Sequence, residues 1–194
     1  MSIVLVGSTS GSITLQEPAV AGTTVLTLPA TSGTILTTAS SGQSIPKAAL
    51  PTGSVLQVIN AVYSTSASKS GNTLSDTGLT ASITPTSSSS KVLVLVTHNG
   101  CRKETSNTTL SVKLLRNSSV INSIEGNGGR TADNSTLHFG GISFCVLDTP
   151  ATTSSVTYKT QFLSTNNTDT VYINDGFDGS NPASSTITLM EIAA

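Results

Sequence analysis

Apolar positions along this chain recur mostly at alternate residues. No stretch carries the i, i+3, i+4 spacing of an amphipathic helix of normal length, so the period points to strands. Val55 to Tyr63 opens the series, and Leu79-Thr-Ala-Ser-Ile-Thr alternates. Leu110, Val112 and Leu114 share one face against Ser111 and Lys113, and Val156, Tyr158 and Phe162 alternate with Thr157, Lys159 and Gln161. Lys91-Val-Leu-Val-Leu-Val-Thr is a continuous apolar run, which predicts a strand covered on both faces. Ser119 to Ile124, Leu137 to Leu147, Thr170 to Asn174 and Thr186 to Ile192 complete the set, and Gly140-Gly141 predicts a bulge or bend. About nine short strands joined by turn-rich segments predict an all-β fold, an antiparallel β-sandwich of jelly-roll type.

The first 54 residues read differently. Ser12-Ile-Thr-Leu-Gln, Thr23-Thr-Val-Leu-Thr-Leu and Thr34-Ile-Leu-Thr-Thr cluster β-formers between Gly11, Pro18, Gly22, Pro29 and Gly33. This segment has two charges, Glu17 and Lys47, and no aromatic residue. All seven aromatics lie beyond it: Tyr63, Phe139, Phe144, Tyr158, Phe162, Tyr172 and Phe177. Aromatic side chains carry much of a core's burial, so such a segment does not support a hydrophobic core by itself. We therefore expect an extended β-strand arm and linker over residues 1–54, with the linker over 39–54, and a head domain over 55–194. Strands that cannot bury their apolar side alone pair with copies of the same chain or with a docking partner.

Composition narrows the function. The 194 residues include 32 Ser and 32 Thr, a third of the chain, and carry a net charge of −1. That balance excludes an electrostatic nucleic-acid binder, which needs a basic face. No apolar run approaches a membrane span, and the opening residues lack the basic region of a secretory signal. A cytosolic site of synthesis is expected, with Cys101 and Cys145 as free thiols. The Asn-x-Ser/Thr sequons at Asn107, Asn117, Asn134 and Asn166 occur at about the frequency expected by chance from this composition.

No constellation of catalytic or cofactor-binding residues emerges. His98, Cys101, His138 and Cys145 contain a ligand-like His98-x-x-Cys101 gap. However, His138 and Cys145 lie seven apart in a strand-like segment and are expected on opposite faces, so the four read as packed thiols and a turn histidine. Asp175 and Asp178, in the Gly-rich 174–181 loop, are a candidate pair for a cation, but the spacing is not that of an EF-hand and a plain turn is preferred. Hydroxyls are abundant, yet there is no Gly-x-Ser-x-Gly and no paired-carboxylate pattern. Gly126-Asn-Gly-Gly lacks the lysine of a phosphate loop. Arg102-Lys103 and Arg130 read as solvated loop charges. The tyrosines and phenylalanines, which would stack on sugars if exposed, are assigned to the core by their alternation. The expectation is no enzyme, no cofactor and no metal.

The run Gly11-Ser-Ile-Thr-Leu-Gln-Glu-Pro-Ala-Val-Ala-Gly-Thr-Thr-Val-Leu-Thr-Leu-Pro-Ala resembles the N-terminal stems of bacteriophage fibre and virion-surface proteins. Gly53-Ser-Val-Leu-Gln-Val, Thr84-Pro-Thr-Ser-Ser-Ser-Ser-Lys-Val-Leu-Val and Ser185-Thr-Ile-Thr-Leu-Met-Glu-Ile-Ala are similar to the small trimeric jelly rolls of C1q or tumour-necrosis-factor type that tip such fibres. The resemblance implies a homotrimer on the surface of a virion, made in the host cytoplasm and without catalytic activity. It implies a short fibre or decoration protein on capsid or tail, anchored to other virion proteins through residues 1–50. The alternative is a receptor-binding adhesin whose head recognises host-surface carbohydrate.

Overall fold

A computed structural model of the chain describes residues 3–6, 9, 12–15, 50–104, 108–130, 136–166, 168–176 and 182–194. The chain divides into two units, Met1–Ser44 and Ile45–Ala194. In the first, β1 (Ile3–Val6) and β2 (Ser12–Leu15) form an antiparallel hairpin in which Ile3 faces Leu15 and Val6 faces Ser12. The β2 strand falls on the segment predicted at Ser12. The strands expected at 23–28 and 34–38, and the linker reading of 39–49, lie outside the described residues.

The second unit holds β3 (Val55–Tyr63), β4 (Ala67–Ser70), β5 (Ser75–Ile83), β6 (Lys91–Lys103), β7 (Leu110–Arg116), β8 (Ser119–Gly128), β9 (Leu137–Asp148), β10 (Val156–Ser164), β11 (Thr170–Ile173) and β12 (Ser185–Ile192). All strand pairs are antiparallel, and no helix occurs among the described residues. One sheet has the order β5-β10-β7-β8. In the other, β12 lies between β3 and β6, and β9 covers the far edge of β6. The long β6 pairs with β12 along its first half and with β11, which carries β4, at its end.

Among the eight longer strands the pairs β7–β8, β6–β9, β5–β10 and β3–β12 are nested inside one another. That nesting describes one long antiparallel ribbon rolled up so that its two legs enter both sheets, which is a jelly roll. The all-β antiparallel sandwich expected from period-two patterning is therefore present. Strand β4 was not foreseen: Ala-Ser-Lys-Ser offers one small apolar residue and no β-branched one. The β6 strand also runs six residues past the apolar run that predicted it, because β9 pairs with it as far as Lys103. This overturns the expectation that Arg102 and Lys103 are solvated loop charges. Lys103 is fully buried on the inner face, and Arg102 is held in ion pairs.

Two apolar clusters fill the space between the sheets. One gathers Leu79, Ile83, Val92, Val94, Val96, Leu114, Tyr158, Ile187 and Leu189. The other gathers Cys101, Leu110, Val112, Phe162, Val171 and Ile173. Tyr158 and Phe162 are thus core residues, as alternation predicted, and Phe139, Phe144 and Tyr63 pack at the margins. Tyr172 is not a core residue: Val171 and Ile173 take the inner positions of β11 and Tyr172 stands on the other face, against Arg102. Phe177 lies outside the described residues. The Gly140-Gly141 bend is realised as a bulge, with Gly140 at φ +84° where the register between β6 and β9 slips.

Candidate functional site

The two outer faces of the sandwich have opposite chemistry. On the β5-β10-β7-β8 sheet, outward positions carry Asp76, Thr80, Ser82, Thr157, Lys159 and Gln161. Lys159 Nζ lies 2.9 Å from Asp76 Oδ1, and Gln161 Nε2 donates to the same oxygen at 2.8 Å. The Lys159 contact, followed by that of Gln161, holds the Asp76 carboxyl below its ordinary value. Ser82 and Thr157 share a hydroxyl hydrogen bond at 2.8 Å. On the β7–β8 half of this face Leu115 and the exposed Val120 lie opposite each other, while the β5–β10 half is matched to water.

The outer face of the β3-β12-β6-β9 sheet is not. Cross-strand register sets its residues in rows: Val58, Met190, Leu93, Leu147; then Asn60, Thr188, Leu95, Cys145; then Val62, Thr186, Thr97, Ser143. None of these twelve side chains is charged. Val62 is 60% exposed, Val58 53% and Leu147 52%, and Leu95 and Val55 are exposed beside them. The polar members bond along the sheet, Asn60 Nδ2 to Thr188 Oγ1 at 2.8 Å and Ser143 Oγ to Thr97 Oγ1 at 3.1 Å, so few donors are left pointing outward. Isolated apolar side chains on a surface are ordinary, whereas here six of them, Val58, Val62, Leu93, Leu95, Leu147 and Met190, share one uncharged sheet face. The Lys91 to Thr97 run was expected to be covered on both faces. Within one chain only the inner half, Val92, Val94 and Val96, is covered; Leu93 and Leu95 lie on the bare side.

The four residues weighed as metal ligands are not brought together. His98 and Cys101 point inward and are fully buried. His138 and Cys145 both sit on exposed positions of β9. They share a face because the Gly140-Gly141 bulge adds a residue between them and resets the alternation, which corrects the expectation of opposite faces. Among the described residues no three His, Cys, Asp or Glu side chains cluster as a metal site would require. Asp175 is engaged by Arg102, whose Nε donates at 2.5 Å and whose guanidinium stacks 3.6 Å from the Tyr172 ring centroid. Asp178 lies outside the described residues. Burial pushes the Cys101 thiol up to about 12, so it stays protonated.

His98 is a strand residue, not the turn histidine expected. Its Nδ1 lies 3.2 Å from Ser185 Oγ and its Nε2 3.1 Å from Thr160 Oγ1, and Thr160 Oγ1 is 2.6 Å from Thr77 Oγ1. Ser185 gives its proton to Asn174 Oδ1. Ser185 therefore accepts from His98, and Nδ1 carries the imidazole proton. Burial drives the imidazole down to about 4, so it is neutral near pH 7. A histidine beside a serine has the outward form of a nucleophile and its base, but every member of this group is enclosed between the sheets and presents no atom to a substrate.

At the β12 end, Glu191 is buried on the inner face. Its carboxylate accepts from Gln57 Nε2 at 2.5 Å and from the backbone N and Oγ1 of Thr86, each at 2.7 Å. Burial alone would raise this carboxyl, but the donors from Gln57, Thr86 and Ser90 outweigh it and hold it below its ordinary value. Beside it a groove of about 410 Å³ is lined by Leu50, Leu56, Thr86, Ser87, Ser89, Ser90, Ala193 and Ala194. Sequence reasoning missed both the Glu191 cradle and the His98 group. Each is assembled from strands far apart in the chain, and no local motif announces it. The apolar outer face was legible only indirectly, through the unbroken run at Val92 to Val96.

No protein-family model matches the chain, and no curated protein matches it. Among the described residues, no helix is long and apolar enough to cross a membrane.

Proposed function

We propose that this chain is a structural subunit of a bacteriophage particle. It is a short homotrimeric fibre or decoration protein on the capsid or tail, anchored to other virion proteins through residues 1–50, with no catalytic role. The observation that carries the reading is the uncharged outer face centred on Val58, Leu93, Leu95, Leu147 and Met190. An apolar face of this extent is stabilised by being covered, and its lack of charge lets copies of the same chain meet without like-charge repulsion. Three copies arranged around an axis bury such a face in a closed assembly. The leading segment, with two charges and no aromatic residue, supports the anchor: its hairpin exposes Val6 at 80%, and a two-stranded hairpin is at best marginally stable alone. Stem-like residues 11–30 and a jelly-roll head fit the same picture.

The test is incorporation. Particles assembled with the full chain are compared with particles assembled with a chain lacking residues 1–45. The expected result is a truncated chain that folds but is absent from purified particles. Continued incorporation overturns the anchor. Binding of residues 55–194 to purified host envelope, with none to particles, replaces this reading with that of a receptor-binding adhesin.

A further inference from the structure

The buried hydroxyl group around His98 is not scattered polar residue in a core. It forms a layer. On β6 the inner face runs Val92, Val94 and Val96 in the first apolar cluster, then His98, then Cys101 in the second. On β10 it runs Val156 and Tyr158, then Thr160, then Phe162. On β12, Ser185 stands before Ile187, and on β5, Thr77 stands before Leu79. Asn174, just after β11, closes the layer through Ser185 and donates Nδ2 to the carbonyl of Thr65 at 3.1 Å. Both sheets contribute, so a polar stratum lies between the two apolar clusters, which meet only through Phe144 on β9 among the described residues packed against them. The backbone nitrogens of Asn99 and Leu79 donate into it at 3.2 and 3.1 Å.

We propose that this stratum is an acid-opened seam: protonation of His98 releases the end of the sandwich built from β11, β4 and the first half of β7, while the end around Val92 to Val96 stays packed. The proposal goes beyond the assembly role and does not depend on it. A charged imidazole keeps Ser185 as the acceptor of its Nδ1 proton, but its Nε2, which accepts from Thr160 in the neutral ring, then also carries a proton, so the Thr160 hydroxyl must turn from donor to acceptor and its bond with Thr77 must reverse. Among the described residues, the titratable and charged groups facing this space give it no counter-charge. On β6 they are the Cys101 thiol and the Lys103 amine. On β10 there is the Tyr158 hydroxyl, which burial and its bond to Asp148 keep protonated. On β3 there is the Tyr63 hydroxyl, over Gly78. On β12 there is Glu191, six residues along and already held by Gln57 and Thr86. After β11 there is Asp175, whose carboxylate is turned to Arg102. On the inner faces of β5 and β11 the described residues are hydroxyl or apolar, and the charged inner-face members of β7 and β9, Arg116 and Asp148, are paired with each other at the Val92 end, where Asp148 also accepts from Tyr158.

The sign follows from the imidazole. Its folded value, about 4, lies below the ordinary 6.5, so the packed end is fully stable above 6.5 and loses stability as pH falls from there toward 4. At pH 5 the opening equilibrium is raised roughly 20-fold over pH 7. Glu191 contributes nothing to this window, because its own loss begins only below 4.5.

Native-state hydrogen exchange on the full chain tests the seam. Between pH 7 and 5, protection at Val171 to Ile173 and Leu110 to Val112 is expected to fall roughly 20-fold, with protection at Val92 to Val96 and Ile187 to Leu189 unchanged, and His98→Gln is expected to abolish the pH dependence. Equal loss at both ends, no loss at either, or an undiminished response in H98Q overturns the proposal. If H98Q does not fold, NMR titration of the wild-type imidazole decides. Protonation that accompanies loss of protection at Val171 to Ile173 supports the seam, and titration near 6.5 without it refutes the seam.

Discussion

Replacing Leu147 by Asp puts one carboxylate in the middle of the uncharged outer face. Leu147 is 52% exposed in the single chain and lies in a row with Leu93, Met190 and Val58. Fully burying a leucine contributes about 1.5–3 kcal/mol, so covering the exposed half in an assembly contributes about 1 kcal/mol per chain. A carboxylate enclosed there without a partner adds at least ~2 kcal/mol of desolvation. Together these weaken a trimer by about 9 kcal/mol. The concentration at half-assembly varies as the square root of the trimer dissociation constant, so it rises about a thousand-fold. The fold should be spared, since Leu147 points away from both core clusters. Sedimentation equilibrium or mass photometry across a dilution series reads the outcome against a 19.7 kDa chain. Thr80→Asp, on the opposite face beside Lys159, serves as the control and should leave assembly unchanged. If L147D assembles at the wild-type concentration, the face is not the assembly surface. If the wild-type chain is a monomer throughout, the trimer itself is wrong.

Three further outcomes follow from the same structure. Gly100→Ala should destabilise by about 2–3 kcal/mol in urea unfolding, because Gly100 sits at φ +58° and an added Cβ would stand 2.5 Å from the Asp175 carbonyl oxygen, a backbone atom that cannot turn aside. Glu191→Gln should cost about 2 kcal/mol at pH 7 by setting an amide against donors that need an anion. Since the folded carboxyl lies below 4.5, the stabilisation is present above that value and lost as pH falls through the folded one, so the gap between wild type and E191Q should shrink in acid. A thiol-specific maleimide should label Cys145 at dilutions where the chain is monomeric and leave it protected at assembling concentrations, while Cys101, raised to about 12, stays unlabelled under both conditions.

Strand positions were the most legible feature. The extents of Val55 to Tyr63 and Leu137 to Leu147 were readable almost to the residue, because a largely alternating pattern with one face turned to the core marks a strand. Legibility failed where the chain breaks that alternation. The Gly140-Gly141 pair announced a bulge, but the count of residues between His138 and Cys145 still had to be reset by one to place them on the same face. Lys103 could not be placed inside from sequence, since a charged residue is exposed by default and its burial depends on how far β9 accompanies β6. The His98 layer draws on β5, β6, β10, β12 and the turn after β11, and residues from such distant positions meet only through the rolled topology. The continuous apolar run at Val92 to Val96 predicted cover on both faces, and within the chain only the inner face, Val92, Val94 and Val96, has it.

The nested pairing has a consequence for how the molecule comes into being. Gln57 and Glu191 are hydrogen-bonded partners separated by 134 positions, and β12 lies between β3 and β6 in the larger sheet. Until that final strand has been synthesised, β3 has no neighbour within its sheet and β6 lacks one flank. Closure is therefore a late and slow event, as expected when pairing joins distant parts of a chain. Nascent molecules pass through an interval in which two open strand edges are available to each other. A lesion in the closing strand should therefore yield aggregate in the cell rather than a loosened head.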